Sequence, residues 1–265
     1  MSSSALEGRP THDDALLAEI REYWNNHIHD LELATQPVGT AGFFQELAEY
    51  RFDKLHYLPR VVDFSAYRDK QLLEIGCGVG IDLVRFARAG ALVTGIDLAE
   101  VSIDLARRNF AQEGLAANLQ VMNGEALQFE ANSFDVAYVH GVLQYTADAQ
   151  KMINEVHRVL RPGGEAILMV YNKYSWLNLL SRLMKVELEH QDAPVLRLYS
   201  IKEFKNLLRP FAEAKIVPER FPVKTRLHHG IKATLYNDLF VKAFNCLPKA
   251  MIRPFGWHIM ALTRK

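Results

Sequence analysis

Short apolar runs and stretches with apolar residues at helical spacing alternate along the central part of the chain. Five runs predict buried strands, at 71–75, 92–96, 119–122, 134–139 and 165–171. Three stretches between them predict helices, at 81–89, 101–112 and 150–160. Strands that alternate with helices are typical of βαβ units, so the pattern predicts a parallel sheet with the loops after its strands along one edge.

The flanking segments have a different pattern. The segment 11–67 is largely helical, and 172–199 is an insertion after the fifth strand. Ser200 and Glu203 fit a capping box for a helix at 201–208. The C-terminal third predicts a sixth strand at 214–217, one or two helices within 227–247 and a final strand at 256–263. We therefore expect a helical N-terminal lid at 1–67 and a sheet domain at 68–265, with insertions at about 172–199 and 224–254.

A glycine turn follows the first strand in "LLEIGCGVGIDL". Gly76, Gly78 and Gly80 are spaced G-x-G-x-G, whereas the dinucleotide fingerprint G-x-G-x-x-G would need glycine in place of Ile81. Glu74 precedes the turn and Asp82 follows it, and two carboxylates would repel a pyrophosphate. The turn therefore favours S-adenosylmethionine, which has no phosphate and carries a positive sulfonium, over NAD.

Two further strand ends suit the same cofactor. Asp97 ends the second strand and could accept hydrogen bonds from both ribose hydroxyls, although Asp is also a good helix N-cap. Asn123 ends the third strand, where its carbonyl oxygen could accept a bond from the adenine amino group.

Five stretches carry a family resemblance, namely "LLEIGCGVG", "TGIDLAEVSIDLA", "NGEALQF", "FDVAYVHGVLQYT" and "VHRVLRPGG", within about 70–172. Their order and spacing resemble the class I S-adenosylmethionine-dependent methyltransferases, in particular the group called methyltransferase type 11. The resemblance implies a Rossmann-like α/β fold with a seven-stranded sheet whose last strand is antiparallel. It implies methyl transfer by in-line displacement, with S-adenosylhomocysteine as the product. The cofactor contacts that it implies come from Glu74, Gly76, Cys77, Gly78, Asp97, Leu98, Asn123, Gly124, Glu125 and His140.

The sequence departs from the family pattern at four positions. Asn123 stands where the family usually has Asp, and Gln128 stands where it has proline. Gln144 and Tyr145 replace a histidine pair, so a role of those histidines does not transfer to this chain. The fourth strand also lacks the Asn/Asp-Pro-Pro-Tyr/Phe motif with which similar DNA methyltransferases hold a flipped base, so we expect no DNA acceptor.

Several residues are candidates for the site beside the cofactor. His140 could act as a general base near neutral pH, or its ring could simply pack while its backbone contacts the cofactor. Tyr145 could orient an acceptor, or it could be a packed aromatic residue. Tyr23 and Trp24 are expected to cover the cofactor, as this position does in similar proteins. Arg51 could bind the cofactor's carboxylate or could form a surface ion pair with Glu46 or Glu49.

Weaker candidates lie elsewhere in the sequence. Tyr171 and Asn172 end the fifth strand at the functional edge, and Trp176 and Phe240 are expected to form the core of the lid. His27, His29 and Asp30 suggest a metal site, but residues two apart on a helix do not face each other, so we expect no metal there. The basic group that includes His228 and His229 could bind a carboxylate or phosphate of the acceptor or could be a solvated face; its basic members are Lys224, Arg226 and Lys232.

The charge, the cysteine count and the lack of long apolar segments disfavour several classes of protein. Formal net charge is +0, which does not favour nucleic acid, and the two cysteines give no disulfide framework. From Arg197 onward there are 14 Lys and Arg against 4 Asp and Glu, so an anionic partner is one interpretation of that third. The polar start lacks the apolar core of a signal peptide, and no apolar run is long enough to span a membrane, so we expect a cytoplasmic protein.

We therefore expect a methyltransferase whose acceptor is a small molecule, methylated on oxygen, nitrogen, sulfur or carbon. The alternatives are a methyltransferase for a peptide or RNA and a non-catalytic module that binds S-adenosylmethionine. A dinucleotide oxidoreductase is a more distant alternative because of Glu74 and Ile81. The large helical lids favour a small enclosed acceptor over a polymer.

Overall fold

The protein is described by a computed structural model that covers residues 12–28, 31–185, 188, 190–223 and 234–265. Seven strands form one sheet, in the order β3-β2-β1-β4-β5-β7-β6. The strands are β1 Gln71–Ile75, β2 Leu92–Asp97, β3 Asn118–Val121, β4 Phe134–His140, β5 Leu160–Tyr171, β6 Glu213–Glu219 and β7 His258–Arg264.

Strand direction confirms the predicted fold class. The strands β1 to β5 pair in parallel with their neighbours, and β7 lies antiparallel between β5 and β6. The chain leaves β1 to form β2 and β3 on one side and returns to place β4 on the other side. A crevice therefore opens at the carboxyl ends of β1 and β4, where open α/β sheets bind their ligands.

The helices that flank the sheet are α1 His12–Asn26, α2 Ala41–Lys54, α3 Leu58–Val61, α4 Ile81–Arg88, α5 Glu100–Glu113, α6 Ala149–Val159, α7 Trp176–Met184 and α8 Ile201–Leu207. The four with predicted bounds, α4, α5, α6 and α8, begin and end within one residue of the predicted positions. Helix α5 ends at Gly114, whose φ of 64° is the left-handed conformation that glycine adopts readily. The capping box of Ser200 and Glu203 is confirmed at the start of α8.

The sheet is buried on both faces, which explains its continuous apolar runs. On one face, Leu73 belongs to a core cluster that includes Ile153 and Val156 of α6. On the other face, Leu72 packs in a cluster that includes Leu83 of α4 and Tyr57. Neighbouring strand residues thus serve opposite layers, as the alternation of side chains along a strand requires.

Two predicted boundaries were wrong. The predicted strand at 165–171 begins five residues earlier, because the Pro162-Gly163-Gly164 stretch is taken into β5 instead of forming a turn. The pairing between β4 and β5 shifts register there, between Phe134 and Val136. The final strand begins at His258 instead of Gly256, because a 3-10 turn at Arg253–Phe255 precedes it.

The C-terminal insertion packs on the insertion after β5. Its described part contains a π-helix, Leu235–Phe240, followed by α9 Val241–Cys246 and α10 Lys249–Ile252. The ring of Trp176 lies 5.9 Å from that of Phe240, so the expectation that both belong to the core of this lid agrees with the packing. Within the described residues, no helix combines the length and apolarity needed to cross a membrane.

Candidate active site

A cavity lies over the carboxyl ends of the strands. Its glycine-turn half, above β1, β2 and β3, is lined by Glu74, Gly76, Cys77, Gly78, Asp97, Leu98, Asn123, Gly124 and Glu125. Its histidine half, above β4, β5, β7 and β6, is lined by Trp24, Arg51, Lys54, His140, Tyr145, Tyr171, Arg220 and His258. The structure thus brings every predicted catalytic or cofactor-binding residue except Tyr23 to one cavity.

The glycine turn needs its glycines for two different reasons. Gly76 has a φ of 69°, and a Cβ atom there would lie 2.3 Å from Val142, so both conformation and packing require glycine. Gly78 has a φ of 52°, and nothing lies within 4 Å of the position of its missing Cβ. The backbone at Gly78 is therefore open to close approach by a ligand in the cavity.

Asp97 fixes the turn to the end of β2. Its carboxylate accepts the backbone N–H of Gly78 and that of Ala99, each at 2.9 Å. Burial raises the pKa of Asp97, although these N–H donors oppose the shift. The N-cap of α5 is Ala99, so the alternative that Asp97 caps this helix is wrong. Two carboxylate oxygens have about four acceptor positions, so capacity remains for ribose hydroxyls.

The two carboxyl groups beside the turn do not act as the free charges that we expected. Burial, together with nearby Asp82, raises the pKa of Glu74 well above its usual value, and Glu74 Oε2 has no hydrogen-bond partner among the described residues. Asp82 is paired with Arg51 and also accepts the hydroxyl of Tyr138 at 2.8 Å. The argument that repulsion by these two groups excludes a pyrophosphate is therefore wrong, and the G-x-G-x-G spacing remains as the argument against a dinucleotide.

The loop after β3 is held by its own side chains. Asn123 Oδ1 accepts the backbone N–H of Glu125 at 2.9 Å, which leaves one lone pair of that oxygen for a ligand. Glu125 accepts the hydroxyl of Thr146 and the backbone N–H of Asp148, the latter at 3.1 Å. These bonds join the loop after β3 to the loop after β4, so two walls of the cavity are fixed to each other.

Arg51 forms neither of the ion pairs that we considered. Its Nε donates to Asp82 Oδ1 at 2.6 Å and its Nη2 donates to Asp82 Oδ2, a bidentate pair in which the side chains are 19% and 1% exposed. Burial alone would raise the pKa of Asp82, but the charge and hydrogen bonds of Arg51 hold it below its usual value. The residue lines the cavity, but most of its bonding capacity is used inside the protein.

His140 belongs to a buried row of hydrogen-bonded side chains that runs from Arg51 to Arg220. Its Nδ1 lies 3.3 Å from Arg51 Nη2 and its Nε2 lies 3.3 Å from the hydroxyl of Tyr57. The same hydroxyl lies 2.5 Å from Nδ1 of His258, whose Nε2 lies 3.1 Å from Arg220 Nη1. These hydrogen-bonded side chains therefore join the end of β4 to the start of β7 and to the residue after β6.

Arg51 and Arg220, at the two ends of this row, determine which ring nitrogen of His140 and of His258 carries the proton. Arginine only donates, so Nδ1 of His140 and Nε2 of His258 are acceptors and each neutral ring carries its proton on the nitrogen that faces Tyr57. Burial and the charge of Arg51 lower the pKa of His140 to about 3, and burial and Arg220 lower the pKa of His258 well below its usual value. A neutral imidazole with so low a pKa is a weak proton acceptor near pH 7, which is unfavourable for a general base.

Aromatic side chains close the histidine half from above. The ring of Trp24 in α1 lies 5.1 Å from that of Tyr145, which lies 6.0 Å from that of Tyr171. Tyr23 is turned away from the cavity, and its hydroxyl donates to Asp192 at 2.8 Å. In this structure Tyr23 thus links α1 to the insertion after β5, and Trp24 is the one of the pair that covers the cavity.

Asn172 and Gln144 are buried inside the protein and do not line the cavity. Asn172 is buried, and its amide donates to the carbonyls of Pro254 and Gly256, each at 2.8 Å, so it holds the segment before β7 and does not line the cavity. Gln144 is fully buried, and neither polar atom of its side chain has a partner among the described residues.

Several sequence hypotheses fall on residues that the structure does not describe. His29 and Asp30 of the suggested metal site lie outside the described residues, as do His228, His229 and the three basic residues near them, Lys224, Arg226 and Lys232. Across the part of the chain that is described, no three His, Cys, Asp or Glu side chains are grouped as metal ligands would be.

Sequence reasoning missed Tyr57, Arg220 and His258. Tyr57 had no distinguishing signal inside the helical segment 11–67. His258 is a polar residue at the start of the apolar strand "HIMAL", and Arg220 follows β6 at the functional edge. Polar residues at strand ends were the signal that pointed to Asp97 and Asn123, and the same rule applied to β6 and β7 would have found Arg220 and His258.

Comparison with known proteins agrees with the geometry. Residues 73–168 match the family model described as methyltransferase domain. A ubiquinone biosynthesis O-methyltransferase of Bartonella tribocorum is 29% identical over 154 residues, which are 55% of this chain and 62% of that protein. The chain thus spans about three fifths of the length of this curated relative.

Solved structures share the fold. A protein of Thermotoga maritima, described as a SAM-dependent methyltransferase and possible histamine N-methyltransferase, is similar with a TM-score of 0.54 and 20% identity, covering 84% of this chain and 98% of that one. The [4+2]-cyclase SpnF is similar with a TM-score of 0.54 and 18% identity, covering 97% of both chains. Residues 73–168 thus match a methyltransferase domain on a Rossmann-like seven-stranded sheet, and S-adenosylmethionine is the cofactor that this similarity implies.

Proposed function

We propose that the protein transfers a methyl group from S-adenosylmethionine to a small-molecule acceptor. The observation that carries this proposal is the two-part cavity, in which the glycine-turn half continues into an aromatic and polar half covered by α1 and α2. The name of the curated relative favours an oxygen acceptor. We further propose that 1–67 acts as a lid on the domain formed by 68–265, with the insertions at about 172–199 and 224–254 beside it.

The residues of the glycine-turn half suit this cofactor. Gly78 is open to close approach, and the spare acceptor capacity of Asp97 suits ribose hydroxyls. The buried, unpartnered Oε2 of Glu74 suits a cationic group, because a nearby positive charge would favour the ionised carboxylate. Asn123 and Gly124 would lie against the adenine, with Leu98 and Cys77 as apolar walls.

In this proposal the protein accelerates methyl transfer mainly by positioning the acceptor against the cofactor. The bound cofactor supplies a methyl group on a positively charged sulfur, and the aromatic lid orients the acceptor and excludes water. Good alignment of two reactants can provide about 7–11 kcal/mol of a reaction barrier. Since His140 is a weak base, we expect its role to be orientation, with Tyr145 packed against the acceptor.

The weak basicity of His140 and His258 affects the choice of acceptor. A nucleophile that must lose a proton during transfer would need a base in the histidine half, whereas one that arrives ionised would not. We therefore propose an anionic acceptor. The excess of basic residues from Arg197 onward agrees with this choice.

The first experiment is a calorimetric titration of the purified protein with S-adenosylmethionine, S-adenosylhomocysteine and NAD in parallel. Binding of the first two without NAD, followed by release of S-adenosylhomocysteine with small acceptors, is the expected result. Binding of NAD alone would overturn the cofactor. Binding of both nucleosides with no turnover on any acceptor would favour a binding module over an enzyme.

A further inference from the structure

Arg220 lies at the end of the cavity that is farthest from the glycine turn. It follows β6, which is four strands away from β1 in the sheet, and neighbouring strands are about 4.8 Å apart. The side chain lines the histidine half next to His258. The side chain therefore lies on the β6 side of the cavity, where we expect the remote part of an acceptor to bind.

The backbone presents Arg220 at a cost. Its φ is 58°, a left-handed conformation that is unfavourable for a non-glycine residue. Its carbonyl accepts the indole N–H of Trp176 at 2.8 Å and the backbone N–H of Trp257 at 3.2 Å. A Cβ on Gly256 would lie 2.4 Å from the carbonyl oxygen of Glu219, so glycine is needed for the close approach here. Two hydrogen bonds and one glycine thus fix the backbone position of this cation.

The charge of Arg220 is not balanced inside the cavity. Among the described residues, no carboxylate lies within 4.0 Å of its guanidinium, and its one side-chain hydrogen bond is to Nε2 of His258. This setting differs from that of Arg51, which is bound on two nitrogens by Asp82. Arginine has five N–H donors, so most of those of Arg220 are available to a ligand.

The surroundings of Arg220 are flat and aromatic. The ring of Tyr171 is stacked on that of His258, with centroids 5.5 Å apart and an angle of 17°. It is also stacked on the ring of Trp257, with centroids 4.5 Å apart. Trp257 is buried behind these rings, whereas Tyr171 and His258 line the cavity together with Trp24 and Tyr145. A cavity lined by aromatic side chains suits a planar ring in the ligand, which leaves the guanidinium to bind a substituent on that ring.

We propose that Arg220 binds an oxyanion substituent, a carboxylate or a phosphate, on a ring-bearing acceptor. This inference rests on the proposed methyl-transfer function and adds to it the group by which the acceptor is selected. The guanidinium fork matches both oxyanions, with two parallel N–H donors to two oxygens. His258 is a positioning residue in this site, because its Nε2 accepts one N–H of Arg220 and thereby orients the fork.

The test is binding of three matched probes to the full-length protein, alone and loaded with S-adenosylhomocysteine. The probes are benzoate, phenyl phosphate and the neutral benzamide, titrated against the wild type, Arg220→Gln, Arg220→Lys and the control Arg60→Gln. Arg60 is exposed, pairs with Glu219 and does not line the cavity. Circular dichroism and thermal melting of each variant check that the fold is retained.

We expect an anionic probe to bind the wild type at least about tenfold more tightly than benzamide, and Arg220→Gln to remove that preference. Arg220→Lys should keep part of the preference, and Arg60→Gln should keep all of it. Tighter binding of phenyl phosphate than of benzoate assigns the substituent as a phosphate, and the reverse order assigns it as a carboxylate. Equal binding of benzamide and both anions, no binding of any probe, or a preference that survives Arg220→Gln would overturn the inference.

The same samples separate this inference from the proposed function. S-adenosylhomocysteine binding without any anion preference would leave methyl transfer standing and remove the role of Arg220. An anion preference in a protein that does not bind S-adenosylhomocysteine would remove the proposed function and leave the anion site.

Discussion

The pair of Arg51 and Asp82 supports a sharp prediction about stability. The carboxylate is 1% exposed, accepts two N–H groups of the guanidinium and accepts the hydroxyl of Tyr138 at 2.8 Å. Replacing Arg51 by Gln would leave this carboxylate buried with the Tyr138 hydroxyl and without its counter-charge. Removing one partner of a buried pair costs about 3–5 kcal/mol of unfolding free energy, and we expect a loss of this size at pH 7.

The matched control is Arg88→Gln. Arg88 also donates through Nε and Nη2 to a carboxylate, in this case to the single oxygen Oε2 of Glu113, but the two side chains are 57% and 29% exposed. Exposed pairs contribute about 0–1 kcal/mol, so the control should lose no more than that. Urea unfolding followed by circular dichroism measures both variants, and equal slopes against urea concentration would show that the unfolded states are comparable.

The pH dependence gives the same prediction a second test. In the wild type the pKa of Asp82 is held below its usual value, so its stabilisation is present above the unfolded pKa and is lost as pH falls through the folded pKa. In Arg51→Gln, burial raises that pKa, so the penalty is relieved as the carboxyl takes a proton. The stability difference should therefore shrink as pH falls from 7 towards about 4. A loss at pH 7 no larger than that of Arg88→Gln, or a difference independent of pH, would refute the reasoning.

Three further predictions concern buried polar side chains in or near the cavity. Replacing the unpartnered amide of Gln144 by the apolar side chain in Gln144→Met should raise the free energy of unfolding, by about 1 kcal/mol in urea unfolding, because no hydrogen bond is lost. Because burial raises the pKa of Glu74, binding of the cationic S-adenosylmethionine should release a proton from it, measured by calorimetry in two buffers of different ionisation enthalpy. The imidazole of His140 should stay neutral from pH 8 to pH 5 in NMR titration, since burial and Arg51 lower its pKa to about 3.

Each of these predictions has a contrary outcome. A less stable Gln144→Met would show that the amide is bonded, for example to water. Proton release that is unchanged in Glu74→Gln would assign it to another group, such as Asp97, whose pKa burial also raises. A His140 titration near pH 6.5 would restore the general-base hypothesis for this residue.

The fold could be predicted from the sequence because its signals are local. The strands β1, β2 and β4 are short, mostly apolar segments, and α5 and α8 carry their own end signals at Gly114 and Ser200. The prediction failed where a tertiary contact outweighed such a signal. Gly163 and Gly164 are typical of a turn, but they lie within β5, where the pairing with β4 shifts register and their backbone groups bond to Lys265.

The site could be predicted only in its first half. The residues around the glycine turn come from one continuous stretch and follow strand ends in order, so their spacing carries the information. Tyr57, His258 and Arg220 meet across separations as large as 201 residues, and no local pattern encodes such contacts. The partner of Arg51 was missed for the same reason, because Asp82 is 31 residues away and closer acids were available in sequence.

The position of β7 has a consequence for the order in which the protein can be assembled during synthesis. This strand leaves the ribosome after β6, yet it lies between β5 and β6 and pairs with seven residues of each. Until β7 emerges, β6 has no strand to pair with and the edge of β5 is open, which exposes backbone groups that favour aggregation. The glycine turn can form early in translation, whereas the cluster around His258 must wait for the insertion of a single late strand.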